Sequence, residues 1–375
     1  MRLLFSIILF LIISAESFGQ STNDVLNLLI ANKAVSQEQG DSLRADAAIR
    51  QQEAELGKKN FLVSAARQIQ ISGYTQLRYQ QLDEKGKRDG FDIRRARLDI
   101  NGNFTPYLSY RLMTDFADKP KIMDAYAEIK FNDYLILTAG QFRVPFSNEN
   151  LIPVRKFDLI DFSQAIDALV FRSNDVIGNQ NGRDIGIQLG GTLLKRGVSS
   201  LVEYKVGVFN GSGINIADTA NNAKDIAGRL IVNPVKGLSI GASYYSGWDK
   251  AIKPAAVYAG KSQPRDRFGF DISYTFAGLA LRGEYIHGLD GKINKAGWFV
   301  LAEYYILPQK LQMVAKYDTF DSNLTIDKNS TTNYVAGMNF SINSWSRIQA
   351  FYTLRTEQGT QVSNNYLSIQ YQISF

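Results

Sequence analysis

From Ile69 to Phe375, apolar and polar residues alternate with a period of two, which is the pattern of β-strands with one apolar and one polar face. The clearest run is 268–276, where Phe or Tyr and one Ile occupy every second position and polar residues or glycine occupy the others. The pattern predicts sixteen strands, which begin near residues 69, 91, 107, 122, 135, 183, 200, 225, 238, 265, 279, 296, 311, 332, 346 and 364.

The connections between these strands fall into two classes. Even-numbered connections are mostly tight, such as Phe104-Thr105-Pro106 and Ala277-Gly278. Odd-numbered connections are mostly longer and polar, and the longest runs over about residues 147–182. Short turns at one end and long loops at the other are typical of an up-and-down barrel in an outer membrane.

The number of strands favours a membrane barrel over a water-soluble one. Sixteen strands enclose a lumen too wide for side chains to fill, so an apolar interior would need a plug or a large ligand. The inverse arrangement, with lipid on the apolar face and water on the polar face, also accounts for 19 Tyr and 22 Phe, which would line the wall and its interfacial girdles. A β-propeller or a double sandwich is the rival architecture.

One strand breaks the alternation. Phe91 and Ile93 share one parity, whereas Ala96, Leu98 and Ile100 share the other. A β-bulge near Arg94 restores both sets to the same face.

The first sixty residues do not alternate. Residues 1–19 have the basic start, short apolar run and small-residue ending of a cleaved signal peptide. Residues 20–60 predict a short helical leader, in which Ser36 and Gln39 are spaced as a capping box. This leader is either a short coiled coil that promotes self-association or a solvated spacer. Residues 61–375 form the barrel.

Composition excludes several functions. Without cysteine and with a single histidine, His287, the chain cannot build thiolate metal sites or sites with two imidazoles, and we expect no metal, no cofactor and no catalytic residues. The net charge of +6 is small and its basic residues are scattered, so we expect no nucleic-acid partner.

Four segments carry a family resemblance: Asp89–Leu98; Asp124–Tyr126 with Gly140–Glu149; Gly182–Gly186; and Gly207–Gly213. Together they resemble the phosphate-selective porin O and P family in its Bacteroidetes-type form. The resemblance implies a homotrimer of sixteen-stranded barrels in a Gram-negative outer membrane, in contact with its lipid. It also implies a third loop folded into each lumen and passive diffusion of small anions such as phosphate.

The predicted inward positions hold twelve basic and nine acidic side chains, which suggests only a modest preference for anions. An alternative is that the arginines pair with Asp99, Asp115 and Asp124 and stiffen the wall. The candidate pore-lining residues are Arg78, Arg95, Arg97, Arg111, Arg143, Arg229 and Arg347.

The loop at 147–182 is the candidate constriction. Its charged residues include Arg155, Lys156 and Arg172 against Asp158, Asp161, Asp167 and Asp175, and our hypothesis is that Lys156 or Arg172 narrows the pore electrostatically. The apolar stretch around Ile166–Phe171 is expected to anchor the loop on the inner wall.

Two other functions stay open at this point. A channel for larger solutes such as oligosaccharides would use lumenal aromatics as a stacking track, and a structural or adhesive barrel would not conduct. The candidate stacking track consists of Tyr74, Tyr126, Phe209, Tyr245, Phe299 and Phe351.

Overall fold

The structure is a computed structural model that describes residues 69–171, 182–197, 199–216, 222–250 and 261–375, with a few residues between 27 and 44. Sixteen antiparallel strands form a closed barrel in which each strand pairs with its neighbours in the chain and β1 pairs with β16. The predicted all-β transmembrane barrel is confirmed. The strands are β1 Ile69–Leu82, β2 Gly90–Asn103, β3 Leu108–Asp115, β4 Lys121–Asn132, β5 Leu135–Arg143, β6 Arg183–Arg196, β7 Ser199–Phe209, β8 Asp225–Val235, β9 Leu238–Lys250, β10 Ser262–Phe276, β11 Leu279–Asp290, β12 Ile293–Leu307, β13 Leu311–Asp321, β14 Ser330–Asn343, β15 Ser346–Glu357 and β16 Tyr366–Ser374.

The two faces of the wall have the chemistry that the alternation predicts. Leu, Ile, Val, Phe and Tyr are exposed on the outside, as at Ile71, Phe270 and Tyr352, whereas buried Gln, Asn, Asp and Arg fill the inside. Exposed aromatics such as Tyr107 and Trp345 flank the short turns. This arrangement suits a wall with lipid outside and water inside.

The predicted bulge is present at Arg94. Opposite β1, Gln76 pairs with Arg95 and Leu77 pairs with Ile93, so Arg94 is the extra residue. A second bulge was not predicted: Met113 pairs with Asp124 and Thr114 with Ile122. Met123 is therefore buried and does not continue the outward apolar row in which the alternation places it.

The two ends of the barrel differ as expected. The end with short turns also holds the start of β1 and the end of β16, and we assign it to the periplasm. Ala277 and Gly278 form a two-residue hairpin there, and both have positive φ, as such turns require. At the outer end, Gly291 and Lys292 form an equally short connection, an exception among longer loops.

The chain divides into two units, Met1–Arg67 and Gln68–Phe375. In the first, the capping box is confirmed: the backbone N–H of Gln39 donates to Ser36 Oγ (3.2 Å), and the N–H of Ser36 donates to Gln39 Oε1 (3.1 Å). The signal peptide at 1–19 and most of the leader lie outside the described residues. No helix among the described residues is long and apolar enough to cross a membrane.

The barrel closes at a seam between β1 and β16. Gly73 and Phe375 exchange two backbone hydrogen bonds of 3.0 Å, and the Phe375 ring lies over Gly73 on the outer face. A Cβ at residue 73 would lie 2.5 Å from Phe375 Cζ and 2.7 Å from the carbonyl oxygen of Arg97. The seam therefore requires a residue without a side chain at position 73.

We expect Gly73→Val to weaken closure, because the new side chain must displace both the terminal ring and the β2 backbone. Overpacking of this kind costs about 1–3 kcal/mol of unfolding free energy. The measurement is urea unfolding of the refolded barrel in detergent, followed by tryptophan fluorescence and by folded-band migration on gels. Gly90→Val is the matched control, because nothing lies within 4 Å of a Cβ at residue 90. Equal effects of the two substitutions would contradict the role of Gly73.

Candidate functional site: the constricted lumen

The long third outer loop folds into the lumen. Its described part contains a short helix at Asn148–Leu151 (α1), a 3₁₀ turn at Val154–Lys156 and a wide helical turn at Ile166–Phe171. About half of its described residues are buried, and most of the others are half-buried. This position agrees with the expectation that the loop folds inward. That the loop narrows the pore electrostatically is a proposal.

The far part of the loop is anchored by apolar contacts, as the sequence predicts. Ile166, Leu169 and Val170 are buried against Phe209, Tyr245 and other inward residues of the wall. Burial of several such side chains is worth several kcal/mol in total, so the anchor holds the loop firmly.

The near part of the loop sits on a second apolar patch. Phe157, Leu159 and Ile160 pack on inward residues of β12–β15, including Phe299 and Phe351. Four members of the candidate stacking track, namely Phe209, Tyr245, Phe299 and Phe351, are thus covered by the loop or packed in its apolar contacts. The stacking-track interpretation is wrong for these residues, because their rings pack in apolar contacts with the loop and are buried from a solute. An inward aromatic on a polar face can bind a loop as well as a solute.

Asn150 ties the two legs of the loop together. Its Nδ2 donates to the carbonyl oxygens of Val144 and Phe146 (both 3.2 Å) and of Gly182 (3.4 Å). Gly182 has φ of 66°, and a Cβ there would lie 2.1 Å from Asn150 Oδ1. This contact explains why a glycine opens the third family segment.

Polar side chains of the wall bind the backbone of the loop. Arg143 donates to the carbonyl oxygens of Asn150 and Ile152, the latter at 2.7 Å. Arg347 donates to those of Arg155 (3.0 Å) and Phe157 (2.8 Å). Two of the seven candidate pore arginines therefore hold the loop.

The loop also contributes its own acidic contacts. Asp161 lies 2.7 Å from Arg94 and 3.9 Å from Arg78, and the Tyr366 hydroxyl donates to it at 3.2 Å. Burial alone would raise the pKa of Asp161, but Arg94 and Arg78 outweigh burial and lower that pKa to about 2. Burial raises the pKa of Asp158, although Arg282 and Arg347 lie close to it. Asp161 is therefore a permanent negative charge in the pore.

Three cavities remain beside the loop, and they follow one another along β1 and β2. The outer cavity, of about 420 Å³, is lined by Gln80 of β1 and Arg95 of β2. The middle cavity, of about 270 Å³, is lined by Tyr74 and Arg97. The periplasmic cavity, of about 350 Å³, begins at Gln70 and shares Asp99 and Arg111 with the middle one. Successive inward residues of β1 and β2 thus line the three cavities in order from the outer end of the barrel to the periplasmic end.

The charge of the lining changes along this series. The outer cavity has four basic and three acidic residues, and the periplasmic cavity has one basic and two acidic residues. The middle cavity is strongly basic, with six basic residues against two acidic ones. Its charged residues are Arg97, Arg111, Arg143, Arg155, Lys156 and Arg183, with Asp99 and Asp124.

Most wall arginines are paired with a carboxylate on a neighbouring strand or on the next strand but one. Arg97 pairs with Asp115 (2.8 Å), and Arg111 pairs with Asp99 (2.7 Å). Other close pairs include Arg78–Asp92, Arg183–Asp124, Arg229–Asp271, Arg265–Asp225, Arg267–Asp290 and Arg282–Glu303. Wall stiffening, the alternative to an anion path, therefore accounts for part of the arginine set.

The candidate residues are distributed as follows. Arg95, Asp161 and Asp167 line the outer cavity, and Arg97, Arg111, Arg143 and Lys156 line the middle cavity. Arg229 is 4% exposed and is bound by Asp271, so it belongs to the wall. Arg172 lies outside the described residues. The prediction omitted Arg94 and Arg183, although both occur in the family segments, because alternation does not indicate which face a bulged residue or a residue at a strand end takes.

Comparisons with known proteins agree with this architecture. Residues 67–251 match the sequence model of the family named phosphate-selective porin O and P, and the resemblance is confirmed over this part of the chain. No curated protein matches.

Solved structures share the fold at low identity. An anion-selective porin from Comamonas acidovorans is 13% identical with a TM-score of 0.63, covering 82% of this chain and 99% of that one. OmpT with loop L8 deleted, from Vibrio cholerae, is 13% identical with a TM-score of 0.61 and the same coverage. The outer membrane channel DcaP of Acinetobacter baumannii is 13% identical with a TM-score of 0.58, covering 82% and 97%. The family match and the fold support an outer-membrane channel of the porin type.

The lowered pKa of Asp161 predicts a distinctive pH response of Asp161→Asn. Removing this charge makes the outer cavity more basic, so the anion-to-cation permeability ratio should rise. An ordinary aspartate, with a pKa of about 3.9, would be nearly half protonated at pH 4, and its substitution would then lose about half of its effect. Because the pKa of Asp161 is about 2, we expect the effect to be as large at pH 4 as at pH 7.

The measurement is the reversal potential of native and variant channels in a KCl gradient at the two pH values. Asp327→Asn, on an exposed outer loop, is the matched control and should leave the ratio unchanged. A response to Asp161→Asn that halves at pH 4 would contradict a salt-bridged carboxylate at this position.

Proposed function

We propose that this porin is a passive diffusion channel for small hydrophilic solutes with a modest preference for anions such as phosphate. The observation that supports it most directly is the order of the three cavities along β1 and β2, with the excess of basic residues in the middle. A solute moving along this wall meets a nearly balanced vestibule, then a cationic section, and then a weakly acidic exit.

The chemistry of the middle cavity suits brief binding of oxyanions. Guanidinium groups keep their charge at all physiological pH values and bind oxyanions through paired N–H donors. Conduction requires binding that is strong enough to admit an ion and weak enough to release it. Because Asp115, Asp99 and Asp124 neutralise Arg97, Arg111 and Arg183 on the wall, the attraction stays weak and the preference modest.

The loop supplies the charge that is not neutralised. Arg155 and Lys156 are exposed, line the middle cavity, and form no ion pair within the part of the chain that the structure describes. From the sequence, the hypothesis is that Lys156 or Arg172 narrows the pore electrostatically. We propose that Lys156 has this role together with Arg155.

The assembly and the export route are part of the same proposal. We infer a homotrimer in the outer membrane, surrounded by its lipid and reached through cleavage of a signal peptide at 1–19. Porin structures similar to this chain include OmpT of Vibrio cholerae in a trimer form. The exposed apolar band of the wall supports the lipid contact.

The two alternative functions have less support. An oligosaccharide channel loses most of its stacking track, since only Tyr74 and Tyr126 among those aromatics line one of the three cavities along β1 and β2. A structural or adhesive barrel without conductance needs a closed lumen, whereas cavities lie along β1 and β2 at the outer, middle and periplasmic levels of this barrel.

Recording in planar bilayers under a salt gradient tests the channel. We expect conductance with an anion-signed reversal potential in the native protein, and a fall in the anion-to-cation permeability ratio by about two- to fivefold in Arg155→Glu/Lys156→Glu, because four units of charge change beside the path. The loop stays docked in this variant, since Arg155 binds the wall through its carbonyl oxygen.

Lys310→Glu, on an exposed periplasmic turn, is the control for charge alone and should leave the ratio near the native value. Absence of conductance would exclude the channel, and a cation-signed reversal potential of the native protein would exclude the anion preference.

A further inference from the structure

A continuous chain of side-chain amides crosses the inner wall beneath the loop. Gln370 donates to Gln349 (2.8 Å), Gln349 donates to Asn339 (2.9 Å), and Asn339 donates to Gln312 (2.8 Å). Gln312 completes the chain on the carboxylate of Glu303 (3.3 Å). One residue from each of β16, β15, β14, β13 and β12 thus takes part, and we call this set the amide ladder.

A shorter chain of the same kind crosses the barrel seam. Arg95 donates to Gln76 at 2.8 Å, and Gln76 donates to Gln372 of β16 at 2.8 Å. Gln349, Gln370 and Gln76 are at most 1% exposed. The amide residues of both chains are therefore enclosed between the wall and the loop, whereas Arg95 lines the outer cavity.

The amides also bind the backbone of the loop. Asn339 donates to the carbonyl oxygen of Asp158 (2.8 Å), and Gln349 donates to that of Phe157 (3.4 Å). Gln372 donates to that of Arg155 (3.1 Å), which Arg347 also binds. The stretch 155–158 is thus held through its carbonyl groups, independently of its side chains.

The number of donors and acceptors in an amide group explains how each amide can bind both its neighbour in the ladder and the loop. A primary amide has two N–H donors and one carbonyl acceptor. In Asn339 and Gln349, each Nδ2 or Nε2 group donates both along the ladder and to the loop, and the side-chain oxygen accepts from the next amide. Displacement of the loop would leave buried donors without acceptors, and each such loss costs about 1–3 kcal/mol. The apolar patch under Phe157 holds the loop close but does not oppose sliding, whereas these hydrogen bonds do.

We propose that the amide ladder is the positioning element of the constriction, and that it places Arg155 and Lys156 beside the middle cavity. This inference rests on the proposed function, since it assigns to the ladder the location of the charges that select the ions. Asn339, Gln349 and Gln372 are positioning residues that act through the loop backbone and do not contact the solute.

The experiment compares two substitutions of similar size that remove the donors, Gln349→Met and Asn339→Leu. We expect open-channel current noise to rise at least about twofold in both, because the loop loses hydrogen bonds that fix its position. We also expect the anion-to-cation permeability ratio to fall toward one, as Arg155 and Lys156 leave the path. The temperature at which the folded band disappears on gels should stay near the native value.

Gln188→Met is the matched control, since Gln188 is an inward, buried glutamine of β6 that lies outside the ladder. Gln372→Met leaves the amide ladder intact and removes the bond to Arg155 at the edge of the loop, together with the bonds from Gln76 and Arg347, and it tests the positioning of residue 155 if the other variants do not fold.

The outcomes separate this inference from the function on which it rests. A native protein that does not conduct would overturn the channel itself. A native protein that conducts with anion preference, beside ladder variants that retain native noise and permeability ratio, would overturn the ladder alone. Loss of barrel stability without any change in noise or selectivity would likewise reduce the ladder to an element of the wall.

Discussion

The architecture follows from the need to satisfy backbone hydrogen bonds where no water is present. A sheet in lipid has no partner for its edge groups, so it must close on itself. Here the closure is made between β1 and β16, where Gly73 and Phe375 complete the last pair and the terminal ring covers the glycine. With sixteen strands, closure produces a lumen wider than side chains can fill. The loop after β5 occupies that space.

The position of the loop is set by where the inner wall is apolar. Inward Phe209, Tyr245, Phe299 and Phe351 lie on β7, β9, β12 and β15, and the loop docks on that side. The inward residues of β1 and β2 remain beside open space. A single asymmetry in the sequence, the placement of a few inward aromatics, thus divides the lumen into a filled half and a conducting half.

The alternation of residues was sufficient to predict much of the fold. All sixteen strands begin within three residues of the predicted positions, and the parity break at Arg94 identified a real bulge. These features are local, because period and parity are properties of a single strand. Met123 shows the limit: its bulge keeps an apolar residue inside, and alternation does not decide which of the adjacent apolar residues Ile122 and Met123 faces outward.

The candidate site was less predictable because it depends on contacts across the lumen. Parity places Phe299 on the inner face but does not indicate whether a solute or a loop covers it. Likewise it places Gln349 and Asn339 on that face without showing that they hydrogen-bond to each other and to residues 157 and 158. The pairing of Arg97 with Asp115 was also not predictable from parity, since the register between β2 and β3 decides which inward charges meet.

The small net charge of the protein then has a structural meaning. On the wall, strand register places carboxylates beside Arg97, Arg111 and Arg183, so these charges largely cancel where they stand. The loop is not bound by that register, because its backbone is held through carbonyl groups and its side chains at 155 and 156 are free to face the path. The charges of the wall largely cancel, whereas those of Arg155 and Lys156 in the loop do not. This difference is sufficient for weak ion selectivity. Ion preference in this barrel can therefore change with two residues of one loop, while the sixteen strands and their ion pairs stay as they are.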